Sequence, residues 1–231
     1  YDVHWQGARY NAWGEVIGRQ SDGLPTPACD GNLSSAWGTG FAVSQNHVVT
    51  NAHVVYCCKK VIVLDLSCSD IEEVTVVATE QKSDLALLRR GNPLQHYATL
   101  RSGKELQLGE VVTTKDRRPE VNGCPQYVMG QGKVTEVDWM PDDSRLMVHD
   151  SPTHSGSSGG PALDNAGNVF GVIKAGSINA ESGLAVKPHL LEAFLKSNNV
   201  EYNTALSSEK LTLSEIKKKS DKFTVIIDCA Q

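Results

Sequence analysis

Phe41-Ala42-Val43-Ser44-Gln45-Asn46-His47-Val48-Val49-Thr50 reads as two short apolar strands folded about a polar turn, and it decides the fold class. The pattern recurs along the chain. Val61 to Leu66, Val74 to Thr79 and Leu85 to Leu88 come next, followed by Val111 to Thr114, Tyr127 to Met129, Lys133 to Val137 and Leu146 to Val148. Val169 to Ile173 and Gly183 to Val186 complete the series, each run bounded by Gly, Asn, Asp or Pro. Many short strands without intervening helices predict an all-β fold of barrels or a sandwich, not βαβ units. Residues 1–36 are rich in Gly, Pro and Asn and read as an irregular segment. Beyond Pro188, Leu190, Leu191, Phe194 and Leu195 fall on one helical face. A second short helix from about Ser214 and a strand Phe223 to Ile227 follow, so 189–231 is expected to pack on the main body as an extension.

The chain has 231 residues, 40% hydrophobic and 21% charged, enough for one large all-β domain or two small lobes. Its net charge is −5 and the one basic cluster, Lys217-Lys218-Lys219, follows a helical pattern. A solvated helix face accounts for it, and nothing resembles the basic stripe that nucleic acid requires. No apolar run reaches the roughly 20 residues of a membrane span. The chain begins at Tyr1, so the absence of a signal peptide is uninformative. Six cysteines (Cys29, Cys57, Cys58, Cys68, Cys124 and Cys229) fit either disulfides in a periplasmic or secreted protein or buried thiols in a reducing compartment. Cys58 and Cys68 flank a strand and could close a small loop, whereas neighbouring Cys57 and Cys58 are poorly placed to bond each other. No metal-ligand spacing is present, and no cofactor is implied.

Three local contexts carry chemistry. Acyl transfer at a peptide carbonyl needs a nucleophile, a base, a group orienting that base and donors for the developing oxyanion. Gly156-Ser157-Ser158-Gly159-Gly160-Pro161 places a serine among glycines that permit a tight turn, with the amides of Gly156 and Ser158 aimed at one point. Taken alone, such a stretch is equally a flexible loop. Thr50-Asn51-Ala52-His53 ends an apolar strand, and Ser83-Asp84-Leu85-Ala86-Leu87-Leu88 opens another. A structural histidine and an ordinary turn aspartate would look the same. The order His53, Asp84, Ser158 across all three contexts is the stricter coincidence.

These motifs, together with Gly38-Thr39-Gly40-Phe41-Ala42-Val43, resemble the trypsin-like serine peptidases, and among them the bacterial HtrA-like branch. The resemblance covers roughly residues 37–188. It implies two six-stranded antiparallel Greek-key barrels with the active site between them. It further implies His53 as general base, Asp84 as its orienter, Ser158 as nucleophile, and Gly156 and Ser158 as the oxyanion donors. Val172-Ile173-Lys174 would pair as a strand with the substrate backbone. The partner would be a protein or peptide substrate, and the oligomeric state is left open.

The departures shape the expectation. Too few residues follow 188 for the PDZ domain of HtrA proteins, so regulated oligomeric behaviour is not carried over. Animal trypsin-like enzymes hold an Asp just before the nucleophile, where this chain has Ser157, which argues against zymogen-style activation. Pro152 stands where trypsins place the acid that binds Lys or Arg. Thr153 and the strand Val172 to Lys174 suggest a small or medium uncharged P1 side chain; Lys174 would either favour an acidic P1 or point to solvent. His154 reads as a loop histidine near the cleft, and His47, His96, His149 and His189 as structural or surface residues. A rival reading is a protease-fold module that binds peptides without turnover, or one kept latent. It rests on Thr113-Thr114-Lys115-Asp116-Arg117-Arg118-Pro119, which replaces a Gly/Pro-rich turn beside the cleft.

Overall fold

The computed structural model describes residues 37–230 apart from 104, 140–143 and 180–181, with backbone alone for 175–179, for Ala36 and for three strands before it. Those three, β1 (Val3–Trp5), β2 (Ala8–Tyr10) and β3 (Val16–Arg19), form a small antiparallel sheet within the stretch read as irregular. The chain continues through β4 (Ala36–Ala42), β5 (His47–Thr50), β6 (Lys60–Leu64), β7 (Ile71–Glu80) and β8 (Leu85–Arg89). Next come β9 (Thr99–Arg101), β10 (Val111–Val121), β11 (Cys124–Glu136), β12 (Leu146–His149), β13 (Pro161–Leu163), β14 (Val169–Asn179) and β15 (Ser182–Val186). Helix α1 (Pro188–Ser197), β16 (Asn203–Ala205), α2 (Leu213–Ser220) and β17 (Thr224–Ala230) end the chain.

The architecture is two antiparallel barrels of six strands. The first closes in the order β17-β4-β5-β8-β7-β6, so its sixth strand comes from the C-terminal tail. The second runs β13-β10-β11-β12-β15-β14 and closes where β13 meets β14 again; β9 and β16 add to it by parallel pairing. Strands buried on both sides explain the continuous apolar runs: Leu85, Ala86, Leu87 and Leu88 are all buried, as are Val225, Ile226 and Ile227. Helix α1 buries Leu191, Phe194 and Leu195 as its spacing predicts. Helix α2 starts with a Thr212/Glu215 capping box. Its lysines are more than a solvated face, since Lys219 donates to the Ala166 carbonyl and Asn168.

Two expectations change. Cys58 bonds Cys229 and Cys68 bonds Cys124, with Cα separations of 5.2 and 5.9 Å. Cys58 and Cys68 lie beyond opposite ends of β6, a strand about 17 Å long, too far apart to bridge. Cys57 is also disulfide-bonded, and Cys29 lies outside the described residues. The segment 113–119 is no loose flap: it forms the middle of β10, paired with β11 from Val111↔Lys133 to Val121↔Cys124. No helix among the described residues is long and apolar enough to cross a membrane.

Candidate active site

His53 lies in a 3-10 turn, Ala52–Val54, at the end of β5. Asp84 occupies the turn between β7 and β8 with φ 56°, a left-handed conformation that Asp tolerates better than most residues. That conformation is held at the backbone by two donors: the Asp84 carbonyl accepts from Asn51 Nδ2 (2.9 Å) and from the Ala52 amide (3.1 Å). Its carboxylate, 5% exposed, then accepts from the His53 amide at Oδ1 (2.9 Å) and meets His53 Nδ1 at Oδ2 (2.7 Å). Burial alone would raise the Asp84 carboxyl. The His53 hydrogen bond, the charges of His53 and Lys174, and the His53 amide outweigh it and bring the pKa down to about 2. Asp84 is therefore ionised at any ordinary pH.

The loop carrying Ser158 packs against the same strand end. The Thr39 amide donates to the Ser158 carbonyl (2.8 Å), and Thr50 Oγ1 donates to the Thr39 carbonyl (2.8 Å). Gly159 has φ 83°, and a β-carbon there would collide with the Thr39 carbonyl and the Thr50 hydroxyl. Only glycine lets the loop sit this close to β4 and β5. The amides of Gly156 and Ser158 donate to no acceptor among the described residues. Thr39 Oγ1 donates to the Gly156 carbonyl (2.6 Å), which fixes the peptide beside that amide. His53 and Ser158 share no hydrogen bond among the described residues.

The remaining candidates fall differently. The Ile173 amide and carbonyl are both taken by the Ser158 loop, through Gly160 O and Gly159 N at 2.8 Å each. Val172 lies wholly buried between Pro161 and Val186. Neither offers the free edge expected for substrate pairing. The Lys174 side chain, expected to face substrate or solvent, is 5% exposed and its Nζ lies 3.1 Å from Asp84 Oδ2. Thr153 is half-buried beside Gly183 and His149. Asp150 accepts from the Lys133 amide (2.5 Å) and is thereby turned to β11. A groove of about 710 Å³ lined by Asn46, His47, Tyr97 and Tyr202 contains none of these residues.

One bracing group went unread in the sequence. Asp116 of β10 is fully buried, lies 2.8 Å from His154 Nδ1 and 2.9 Å from Arg118, and accepts from the Ser157 hydroxyl (3.4 Å). It thus holds both residues that bracket Ser155 and Gly156. Next to it Arg117 packs its stem on Gly156 and its guanidinium over Trp37, 5.8 Å from the ring centre.

Residues 38–172 match the trypsin-like peptidase domain. The chain belongs to the trypsin-like peptidase family. As a trypsin-like peptidase domain it is similar over 90% of its length, at 31% identity, to an uncharacterized protein, y4bJ, of Sinorhizobium fredii, of which it covers 35%. It is 25% identical over 140 residues to a probable periplasmic serine endoprotease, DegP-like, of Brucella suis, covering 59% of this chain and 27% of that protein. The chain therefore spans about a third of the length of these relatives. Among solved structures, a serine endoprotease of Yersinia pestis aligns with TM-score 0.58 at 21% identity, over 69% of this chain and 56% of that one. The Rv3671c protease of M. tuberculosis in its active form aligns with TM-score 0.58 at 24% identity, over 73% and 76%. Both agree with the two-barrel, serine-protease fold.

Proposed function

We propose that the chain is a serine-type endopeptidase, hydrolysing peptide bonds through an acyl-enzyme intermediate. The observation that carries this reading is the double engagement of Asp84 with His53, through ring and amide, beside a Ser158 loop anchored on the same strand end. With Nδ1 donating to Asp84, His53 Nε2 is left as an acceptor able to take the Ser158 proton. The freed alkoxide attacks the carbonyl, and the Gly156 and Ser158 amides receive the oxyanion. The protonated His53 then passes its proton to the leaving amine, and water repeats the sequence on the ester. Substrate backbone would add to β14 beyond Ile173, whose own polar groups are occupied. Thr153 supports a small or medium uncharged P1 residue. Five disulfide-bonded cysteines among the described residues, and the periplasmic naming of a relative, support an extracytoplasmic home.

A fluorophosphonate probe is expected to label the wild type and not Ser158→Ala. Labelling that survives the substitution rejects Ser158. A latent reading draws on one observation, Arg117 pressed on Gly156 beside the oxyanion amide. Peptide binding with no labelling in the wild type, and labelling in Arg117→Ala, would favour latency.

A further inference from the structure

Lys174 poses a physical question that substrate contact does not answer. Placing an ammonium group out of water is costly unless a partner of opposite charge receives it. The Lys174 side chain is 5% exposed, and its Nζ reaches the Asp84 oxygen that also meets His53 Nδ1, at 3.1 and 2.7 Å. Two groups on one oxygen lie within about 6 Å of each other, a range in which a like charge disfavours protonation. Among the described residues the charged groups facing the Asp84 carboxylate are His53 from the 3-10 turn and Lys174 from β14; Asn51 approaches its carbonyl as a neutral donor.

We propose that Lys174 is a positioning residue that sets a positive charge behind the His53–Asp84 pair and extends the working range of the base toward acid. A neutral donor at position 174 would orient the Asp84 carboxylate just as well. The ammonium does something more: it sets a second positive charge against any imidazolium formed on His53, across the one Asp84 oxygen that both groups reach. This role presupposes His53 as the base, yet the ionisation it concerns is measurable without turnover.

The decisive experiment follows the His53 ring by NMR across pH in the full chain carrying Ser158→Ala, with Lys, Met or Arg at position 174. Lys174→Met is expected to raise the His53 midpoint by about one pH unit, and Lys174→Arg to leave it near the parent value. Should the Met chain not fold, Lys174→Gln, which keeps a donor to Asp84, carries the same expectation. In active protein the acid limb of kcat/KM is expected to move by the same interval, an approximately tenfold loss below it, with KM within about twofold. Midpoints that coincide in all chains overturn the proposal. So does an unmoved acid limb accompanied by a raised KM, which would return Lys174 to substrate contact. A wild type that never turns over would reject the peptidase reading alone, since the NMR midpoints would still decide the role of Lys174.

Discussion

His149 ends β12 fully buried, and among the described residues no hydrogen bond of good geometry reaches either ring nitrogen. Burial presses its pKa from 6.5 down to about 4, offset only in part by the backbone of Ser151 and Leu184 and the charge of Asp150. The unfolded chain therefore binds a proton that the folded chain refuses between those values. Stability contributed by neutral His149 is present above pH 6.5 and is lost as pH falls through about 4, at a cost of about 3 kcal/mol. Asp84, with its pKa near 2, begins to matter only below that window. Thermal melts between pH 7 and pH 4 should show the wild type losing stability and His149→Leu losing markedly less. Parallel losses in the two chains would exclude His149 as the source.

At the scale of elements, the hairpin of β10 and β11 does the most to shape the site. Its turn is Asn122-Gly123, both with positive φ (54° and 77°), the signature of a tight two-residue hairpin. That dipeptide was in the sequence to be read and would have joined Val111–Thr114 to Tyr127–Met129. The run Lys115-Asp116-Arg117-Arg118 hid the connection, because charged residues argue against a strand until their partners are known. Those partners are distant: Lys115, buried, pairs with Asp221 beyond α2, and Asp116 with His154. His53, Asp84 and the Ser158 loop were legible because each motif is contiguous. Asp116 and Lys174 were not, because their roles depend on contacts across 38 and 90 positions. With Ser157 standing just before Ser158, the acid that braces the loop comes from β10. Asp116→Asn keeps the shape and removes the charge. It should lower kcat about a hundredfold with little change in KM, by letting the Gly156 amide drift. Unchanged kcat with a lowered melting temperature would reduce Asp116 to a structural role.

Across the whole molecule, chain order and spatial order part company at β17. The run Phe223 to Ile227 is readable as a strand, but nothing local says that it pairs with β4 and β6 to close the first barrel. Strand pairing across such separations leaves no periodic trace in sequence, so 189–231 reads as a packed tail when part of it is a barrel stave. The difference is energetic. Val225, Ile226 and Ile227 are buried, worth about 6 kcal/mol together, comparable to the net stability of a typical domain. Without β17, both β4 and β6 become open edges of the kind that pair between molecules. Cys58–Cys229 fastens the same strand, and its removal alone should cost only about 2–4 kcal/mol. A chain ending at Lys222 is therefore expected to show no cooperative melt and to aggregate, whereas full-length Cys229→Ser, with its Cys58 partner also changed to Ser, folds with a lowered melting temperature. A truncated chain that melts cooperatively would show that β4 to β8 hold their sheet unaided and that β17 is an addition to the barrel, not its closure.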